Sequence, residues 1–151
     1  MEYVTLDQFR EHGHRGYDQT SVLNTKSFVT VSIPGVQAQT AGNYGIFFIA
    51  PRPCIIKSIT EVHNVAGTDG SAVTLNVERL QGTENLGAGD VLLSTAFNLK
   101  ATANTVQNGT LVTTGKVLGL NTGDRLALKD TGTLTTLEGV CITIEILYAT
   151  N

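Results

Sequence analysis

Three histidines are the residues best suited to acid–base or metal chemistry, and they lie in two different parts of the chain. His12 and His14 stand two residues apart beside Glu11, where an extended backbone would let the two imidazoles share a metal ion. His63 follows a β-branched run and is the one histidine after residue 24. We interpret His12 and His14 as exposed polar residues, and His63 as a structural histidine with its hydrogen bonds satisfied.

A hydrolase would need a nucleophile beside an oriented histidine, and no glycine-flanked G-x-S-x-G elbow accompanies His63. Acidic residues in loops are the other candidates, but most of them stand beside a glycine or in a turn-forming stretch. Calcium bound by the loops 67–70 or 121–124 is the remaining alternative. The sequence therefore predicts no catalytic residue, no cofactor-binding residue and no metal ligand, and the protein is not expected to be an enzyme. The loop carboxylates are Asp69, Glu84, Asp90, Asp124 and Asp130.

Cysteine content and charge restrict the classes of protein further. Cys54 and Cys141 each lie in or beside an apolar run, so we predict two buried free thiols. The net charge is −3 and the ten basic residues are scattered, which argues against a nucleic-acid partner. No run of 18 apolar residues exists, so no membrane span is expected, and residues 1–7 lack the features of a signal peptide.

Short runs that alternate apolar and polar residues dominate the chain after residue 25. Alternation with a period of two places one set of side chains on a core and the other in water, as in a β-strand. Several such runs at regular spacing predict an all-β fold, an antiparallel β-sandwich of jelly-roll or immunoglobulin-like type. The predicted strands are 26–33, 45–50, 54–65, 71–80, 104–114, 124–129 and 139–148.

Three local patterns give more detailed expectations. The strands 55–62 and 73–78 are predicted to form a hairpin through the turn-rich segment 66–71. The continuous apolar run 46–49 is expected to be buried on both faces. Pro51-Arg52-Pro53 predicts a kink at which the chain passes from one sheet to the other.

The first 24 residues differ from the rest because they hold a local concentration of charge. A turn or two of helix over 6–12 would be marginal alone in water, so the segment is expected either to be ordered by contact with a neighbour or to be left disordered. We therefore divide the chain into an extended N-terminal arm, 1–24, and a β-sandwich domain, 25–151. Apolar side chains in a polar arm need a partner that buries them, so we predict that the arm binds a partner through anchor residues. These anchors are Tyr3, Leu6, Phe9 and Tyr17.

From residue 40 onward the sequence resembles small virion structural proteins of tailed bacteriophages. The resemblance rests on the residue sequences of several segments and extends over about two-thirds of the chain. It does not rest on a catalytic motif. It implies a capsid decoration or cement protein that lies on the outer head surface, with the major capsid protein and further copies of itself, as a homotrimer, as partners. It also implies synthesis in the bacterial cytoplasm. The segments are 42–51, 61–64, 66–75, 93–100, 103–107 and 123–132.

The low charge supports the same interpretation, because only 15% of residues are charged whereas about 25% is typical. A surface of uncharged polar residues repels neighbouring chains weakly, although a β-rich monomer with threonine on its solvent faces is equally consistent with this composition. The alternative function is a receptor- or glycan-binding module of a tail or fibre, with the loops 64–72 and 81–96 as its binding surface. The absence of tryptophan counts against carbohydrate binding.

Overall fold

Ten β-strands and one short helix make up the part of the chain that the computed structural model describes, residues 25–37 and 44–148. In chain order they are β1 (Thr25–Val36), β2 (Gly45–Ile49), β3 (Cys54–Val62), β4 (Thr74–Leu80), β5 (Asp90–Val91), β6 (Phe97–Asn98), β7 (Gln107–Asn108), α1 (Gly115–Leu118), β8 (Gly119–Leu120), β9 (Arg125–Thr131) and β10 (Glu138–Tyr148).

The strands form two antiparallel sheets, which confirms the predicted β-sandwich. The β1 sheet has the order β1-β10-β3, and both β7 and β8 pair with the far edge of β3. The β2 sheet has the order β2-β9-β4, and both β5 and β6 pair with the far edge of β4. If β5–β6 and β7–β8 are each counted as one interrupted strand, the chain is a long antiparallel ribbon folded over itself. This order is that of a jelly roll and not of an immunoglobulin domain.

Residue alternation explains how the two sheets enclose a core. In β10 the side chains of Ile142, Ile144 and Ile146 are fully buried, and the residues between them are partly exposed. In β4 the inward positions Leu75 and Val77 are fully buried as well. Each strand thus contributes one apolar face to a shared interior.

The two sheets are joined along one side and separate along the other. On the joined side, the amide of Ser94 donates to the carbonyl of Thr110 at 2.9 Å, and the amide of Val112 donates to the carbonyl of Leu92 at 2.9 Å. Leu93 and Leu111 form an antiparallel bridge between these bonds. On the opposite side, β1 and β2 are the outermost strands within the described residues.

The predicted hairpin between β3 and β4 is wrong. β3 pairs with β10, β7 and β8, whereas β4 pairs with β9 along its full length, from Thr74↔Thr131 to Leu80↔Arg125. The segment between them crosses from one sheet to the other. Its turn-forming residues are real, but a linker of this length can span the roughly 10 Å between packed sheets, so turn chemistry alone does not specify a hairpin.

Two further expectations need correction. The run 46–49 is not buried on both faces, because Ile46 is 45% and Ile49 is 63% exposed in β2, an outermost strand. The predicted strand 104–114 is reduced to Gln107–Asn108, since pairing with β3 is interrupted on either side. The chain does pass between sheets at Pro51-Arg52-Pro53, as predicted, because β2 and β3 belong to different sheets.

Candidate functional site

His63 is a buried structural residue, as the sequence predicts. Its imidazole is inaccessible to solvent, with Nδ1 at 2.9 Å from Oε1 of Glu61 and Nε2 at 3.1 Å from the carbonyl oxygen of Ala101. The other carboxylate oxygen of Glu61 accepts a hydrogen bond from Nε2 of Gln107 at 2.6 Å. This network ties β3 to β7 and to the loop before it, and it leaves no open position for a substrate.

Hydrogen-bond chemistry fixes the number of protons that the Glu61–His63 pair must hold. A carbonyl oxygen only accepts, so Nε2 of His63 carries a hydrogen toward Ala101. The contact between Nδ1 and Oε1 then requires one further proton, on either the imidazole or the carboxyl. Burial raises the pKa of Glu61, and the hydrogen bonds from His63 and Gln107 oppose that rise.

Of the five carboxylates assigned to loops, Asp69 and Asp124 serve local roles in turns, whereas Asp130 is buried within β9. Oδ2 of Asp124 accepts from the amide of Asn121 at 2.9 Å, and Oδ2 of Asp69 accepts from the amide of Ser71 at 3.3 Å, as expected for turn residues. Asp90 instead forms an ion pair. Among residues 25–37 and 44–148, no group of three His, Cys, Asp or Glu side chains is placed to hold a metal ion. The same residues contain no helix of the length and apolarity that a bilayer crossing needs.

The two cysteines are free thiols, but only one of them is buried. Cys54 is 4% exposed at the start of β3, and burial raises the pKa of its thiol. Cys141 lies on the outer side of β10 and is partly exposed, which corrects the prediction of two buried thiols. The reason is the alternation of β10, in which Cys141 occupies the face opposite the buried Val140 and Ile142.

Arg79 is the most highly connected buried charge in the described chain, and the sequence analysis missed it. Its guanidinium donates to the carbonyl oxygens of Lys116 and Gly119, both at 2.7 Å, to Oε1 of Gln81 at 3.1 Å, and to Oδ2 of Asp90 at 2.8 Å. These bonds hold α1 and β8 against the end of β4. A sequence signal existed, since Arg79 continues the inward positions of β4 where an apolar residue is expected.

Beside Arg79 the surface forms a groove of about 560 Å³ at one corner of the β1 sheet. We call it the corner groove and define it by six lining residues: Pro53, Ile55, Arg79, Lys116, Leu120 and Leu147. Its walls combine apolar side chains, among them the half-exposed Ile55, with the two cations. Because none of the lining residues is acidic, the groove suits a segment with an apolar side chain and a negative charge.

The outer face of the β1 sheet carries few charged side chains. At its centre the hydroxyls of Thr30 and Thr143 lie 3.2 Å apart on adjacent strands. Lys26 and Glu145 neutralise each other in an ion pair at 2.9 Å. Phe28, which is directly opposite Glu145, is 65% exposed. A surface of this composition presents apolar and hydroxyl groups to any neighbour with little electrostatic repulsion.

The predicted arm anchors Tyr3, Leu6, Phe9 and Tyr17 lie outside the described residues, as do His12 and His14. The boundary of the arm at residue 24 and the role of its anchors therefore stay predictions. The loops of the alternative function can be located. Segment 64–72 precedes the start of β4 and segment 81–96 follows its end, so the two segments attach to opposite ends of that strand.

Comparison with known proteins shows similarity at the level of the fold. No protein-family model and no curated protein sequence matches the chain. A chain in the structure of the capsid of Ralstonia phage GP4 is 15% identical, with a TM-score of 0.58 over 84% of this chain and 86% of that one. A chain in the capsid asymmetric unit of cyanophage Pam1 is 16% identical, with a TM-score of 0.53 over 85% of this chain and 86% of that one. The protein therefore shares its fold with chains of two phage capsid structures.

Proposed function

We propose that this protein is a structural component of a bacteriophage virion, a decoration or cement protein that binds the outer surface of the head. In this role it would contact the major capsid protein and bridge capsomers. The observation that carries the proposal is the jelly-roll fold shared, over about 85% of both chains, with chains of two phage capsid structures.

The surface of the molecule supports the same role. A cement protein stabilises a shell by burying its own side chains against several neighbours, and such contacts favour surfaces with few unpaired charges. The outer face of the β1 sheet meets this condition, because Lys26 and Glu145 are paired and the hydroxyls of Thr30 and Thr143 are paired across the strands. The buried histidine network supplies no competing reactive site.

The arm is proposed to provide affinity for the shell or for a neighbouring copy, through Tyr3, Leu6, Phe9 and Tyr17. An extended chain of 24 residues can reach roughly 80 Å at about 3.3 Å per residue, enough to cross an adjacent subunit. Extended segments of this kind commonly add a strand to an exposed sheet edge. The sandwich would thus act as a rigid body and the arm as its attachment.

A capsid-binding assay tests the proposal. Purified full-length protein is mixed with phage heads that lack it, and bound protein is measured after sedimentation, beside a variant without residues 1–20. Saturable binding of the full-length chain, with a rise in the temperature at which the heads open, is expected. The truncated variant should keep the circular dichroism spectrum of a β-protein and lose binding. Failure of the full-length chain to bind any head preparation would exclude the cement role.

Saturable binding to bacterial surface glycans, in place of heads, would favour the alternative module of a tail or fibre. Normal head binding by the truncated variant would leave the cement role intact and remove the arm from it. Glycan binding tests the choice between the two functions, whereas head binding by the truncated variant tests the role of the arm.

A further inference from the structure

The corner groove and the start of β1 lie at the same end of the β1 sheet. Strand pairing places Thr25 opposite Tyr148, Tyr148 opposite Cys54, and Cys54 opposite Leu120, so these four residues form one row across four strands. The next row contains Ile55, which lines the corner groove. Two inter-strand spacings of about 4.8 Å separate Thr25 from Cys54, a distance of roughly 10 Å. The arm therefore joins the sandwich beside the groove.

Two residues of the arm close to this junction match the chemistry of the groove. Tyr17 and Asp18 combine an aromatic ring with a carboxylate, eight and seven residues before Thr25. The groove offers Ile55 and Leu147 as apolar walls and Lys116 as a cation. No described carboxylate forms an ion pair with Lys116. A tyrosine in an apolar cleft with its neighbouring carboxylate on a lysine is the kind of anchor that dominates binding energy.

We propose that the corner groove of one molecule binds the Tyr17–Asp18 segment of a second copy of this chain. The inference rests on the proposed function and deepens it by assigning the surface that receives the arm. Tyr17 packs on Ile55 and Leu147, and the carboxylate of Asp18 pairs with Lys116.

The positions of the arm junction and the groove favour exchange between copies. When donor and acceptor surfaces lie at the same end of a molecule, copies arranged around an axis at that end can each give an arm and receive one. Such a head-to-tail contact closes into a ring, with no unsatisfied surface, when the rotation from one copy to the next completes a full turn. Eight extended residues, at about 3.3 Å each, span roughly 26 Å and can reach an adjacent copy.

Photo-crosslinking of the full chain tests the proposal. Tyr17 is replaced by p-benzoylphenylalanine, which keeps an aromatic ring at that position, and the protein is irradiated as an equal mixture of ¹⁴N- and ¹⁵N-labelled chains. We expect covalent oligomers in which peptides that contain residues 53–55, 116–121 or Leu147 of one isotope are joined to the arm of the other. Crosslinks confined to single chains, or linked peptides from elsewhere in the sandwich, would overturn the assignment.

Matched substitutions separate the groove from the general surface. Ile55→Asp should lower the crosslink yield about tenfold, because it places a carboxylate where the apolar wall meets Tyr17 and Asp18. Val106→Asp changes a residue of similar exposure, 58% against 51%, that is not part of the groove, and should leave the yield unchanged. Equal losses in both variants would contradict the proposal.

Charge exchange gives a second, independent measurement. Lys116→Glu alone should weaken the contact, and the addition of Asp18→Lys should restore it, since the two charges are then reversed together. Head binding by the same proteins distinguishes the two levels of inference. If the protein binds heads but forms no groove crosslink, the groove assignment is refuted and the cement role is retained. If groove crosslinks form without head binding, the groove assignment is retained and the cement role is refuted.

Discussion

At the scale of single residues, Arg79 connects more of the described chain than any other charged side chain. The buried guanidinium of Arg79 donates through its two terminal nitrogens to two backbone carbonyls, a side-chain amide oxygen and a carboxylate. We expect Arg79→Met to lower the free energy of unfolding by about 2–4 kcal/mol, because the carbonyls of Lys116 and Gly119 lose their donor.

The matched variant Asp90→Asn should cost under about 1 kcal/mol, since the Asp90 side chain is 51% exposed and its charge is screened by water. Urea unfolding of the three proteins provides the comparison. A larger loss in Asp90→Asn than in Arg79→Met would show that the ion pair, and not the backbone contacts, is the important part of the cluster.

The buried Glu61 carboxyl predicts a specific pH dependence of stability. Because burial raises the pKa of Glu61 above its ordinary value of 4.5, the folded state holds this proton more tightly than the unfolded state does. Its contribution to stability is therefore complete below pH 4.5 and is lost as pH rises through the folded-state pKa. In Glu61→Gln the amide still accepts from Gln107 and donates to His63, so the variant should fold.

The measurement is the difference in unfolding free energy between the natural chain and Glu61→Gln, from pH 4 upward. We expect this difference to shift in favour of the variant as pH increases, while all other acids contribute equally to both proteins. A constant difference would show that Glu61 has the same pKa in the folded and unfolded states, and a difference that favours the natural chain at higher pH would show that folding lowers this pKa.

The sequence is informative about some of these residues and silent about others. His63 can be assigned a structural role from its position in an apolar strand, and the turn roles of Asp69 and Asp124 follow from their glycine neighbours. The carbonyl partners of Arg79 belong to residues about 40 positions away, and no local pattern specifies such a contact. Its place among the inward residues of β4 marks it as unusual without naming its partners.

At the scale of elements, Gly109 shows how closely the joined side of the sandwich is packed. A Cβ atom there would lie 2.5 Å from Cδ2 of Leu93 and 3.0 Å from both the carbonyl oxygen of Ile59 and Cζ of Phe97. Gly109→Ala should therefore lower the free energy of unfolding by about 1–3 kcal/mol through overpacking. Gly70→Ala is the control, because its Cβ would meet open space.

Thermal or urea unfolding measures both variants. The comparison isolates steric crowding, since neither glycine adopts the left-handed backbone conformation. Equal stability of the two alanine variants would show that the joined side relaxes readily around an added methyl group.

Alternation of apolar and polar residues is sufficient to locate the long strands, whereas the short edge strands cannot be located in this way. β10 and β4 bury alternate side chains and are recognisable in the sequence. The interrupted strand β5–β6 depends on tertiary contacts instead, since the side chain of Asn76 both donates to and accepts from the backbone of Leu93 where the regular ladder pauses. Pairing partners are equally inaccessible from sequence, because the turn residues between β3 and β4 are compatible with a hairpin and with a crossing between sheets.

At the scale of the whole molecule, the proposals predict the oligomeric state of the protein in solution. A ring joined by arm exchange should give a solution mass of about 48 kDa for a trimer, three times the 16.0 kDa chain. Light scattering of the full chain and of the variant without residues 1–20 checks this. We expect the trimer to dissociate to folded monomers on truncation.

A monomeric mass for both proteins would contradict arm exchange between free copies. The class of fold is accessible from sequence, through the alternation of apolar and polar residues. The arrangement of copies cannot be derived from the sequence, because it depends on which surfaces lie at the same end of the sandwich. Those surfaces are identified only by the strand pairing, which places Thr25, Cys54 and Leu120 in one row.

The pairing of β1 with β10 also has a consequence for synthesis. Thr25 meets Tyr148 across a sequence separation of roughly 120 residues, so the central strand of the β1 sheet leaves the ribosome long after the strand it must pair with. Until then the nascent chain displays an unpaired β1 and one unpaired edge of β3, and both are open to association with other chains. Completion of the sandwich is in this way postponed until β10 has been translated, and a chain halted before β10 is expected to be a substrate for chaperones and proteases.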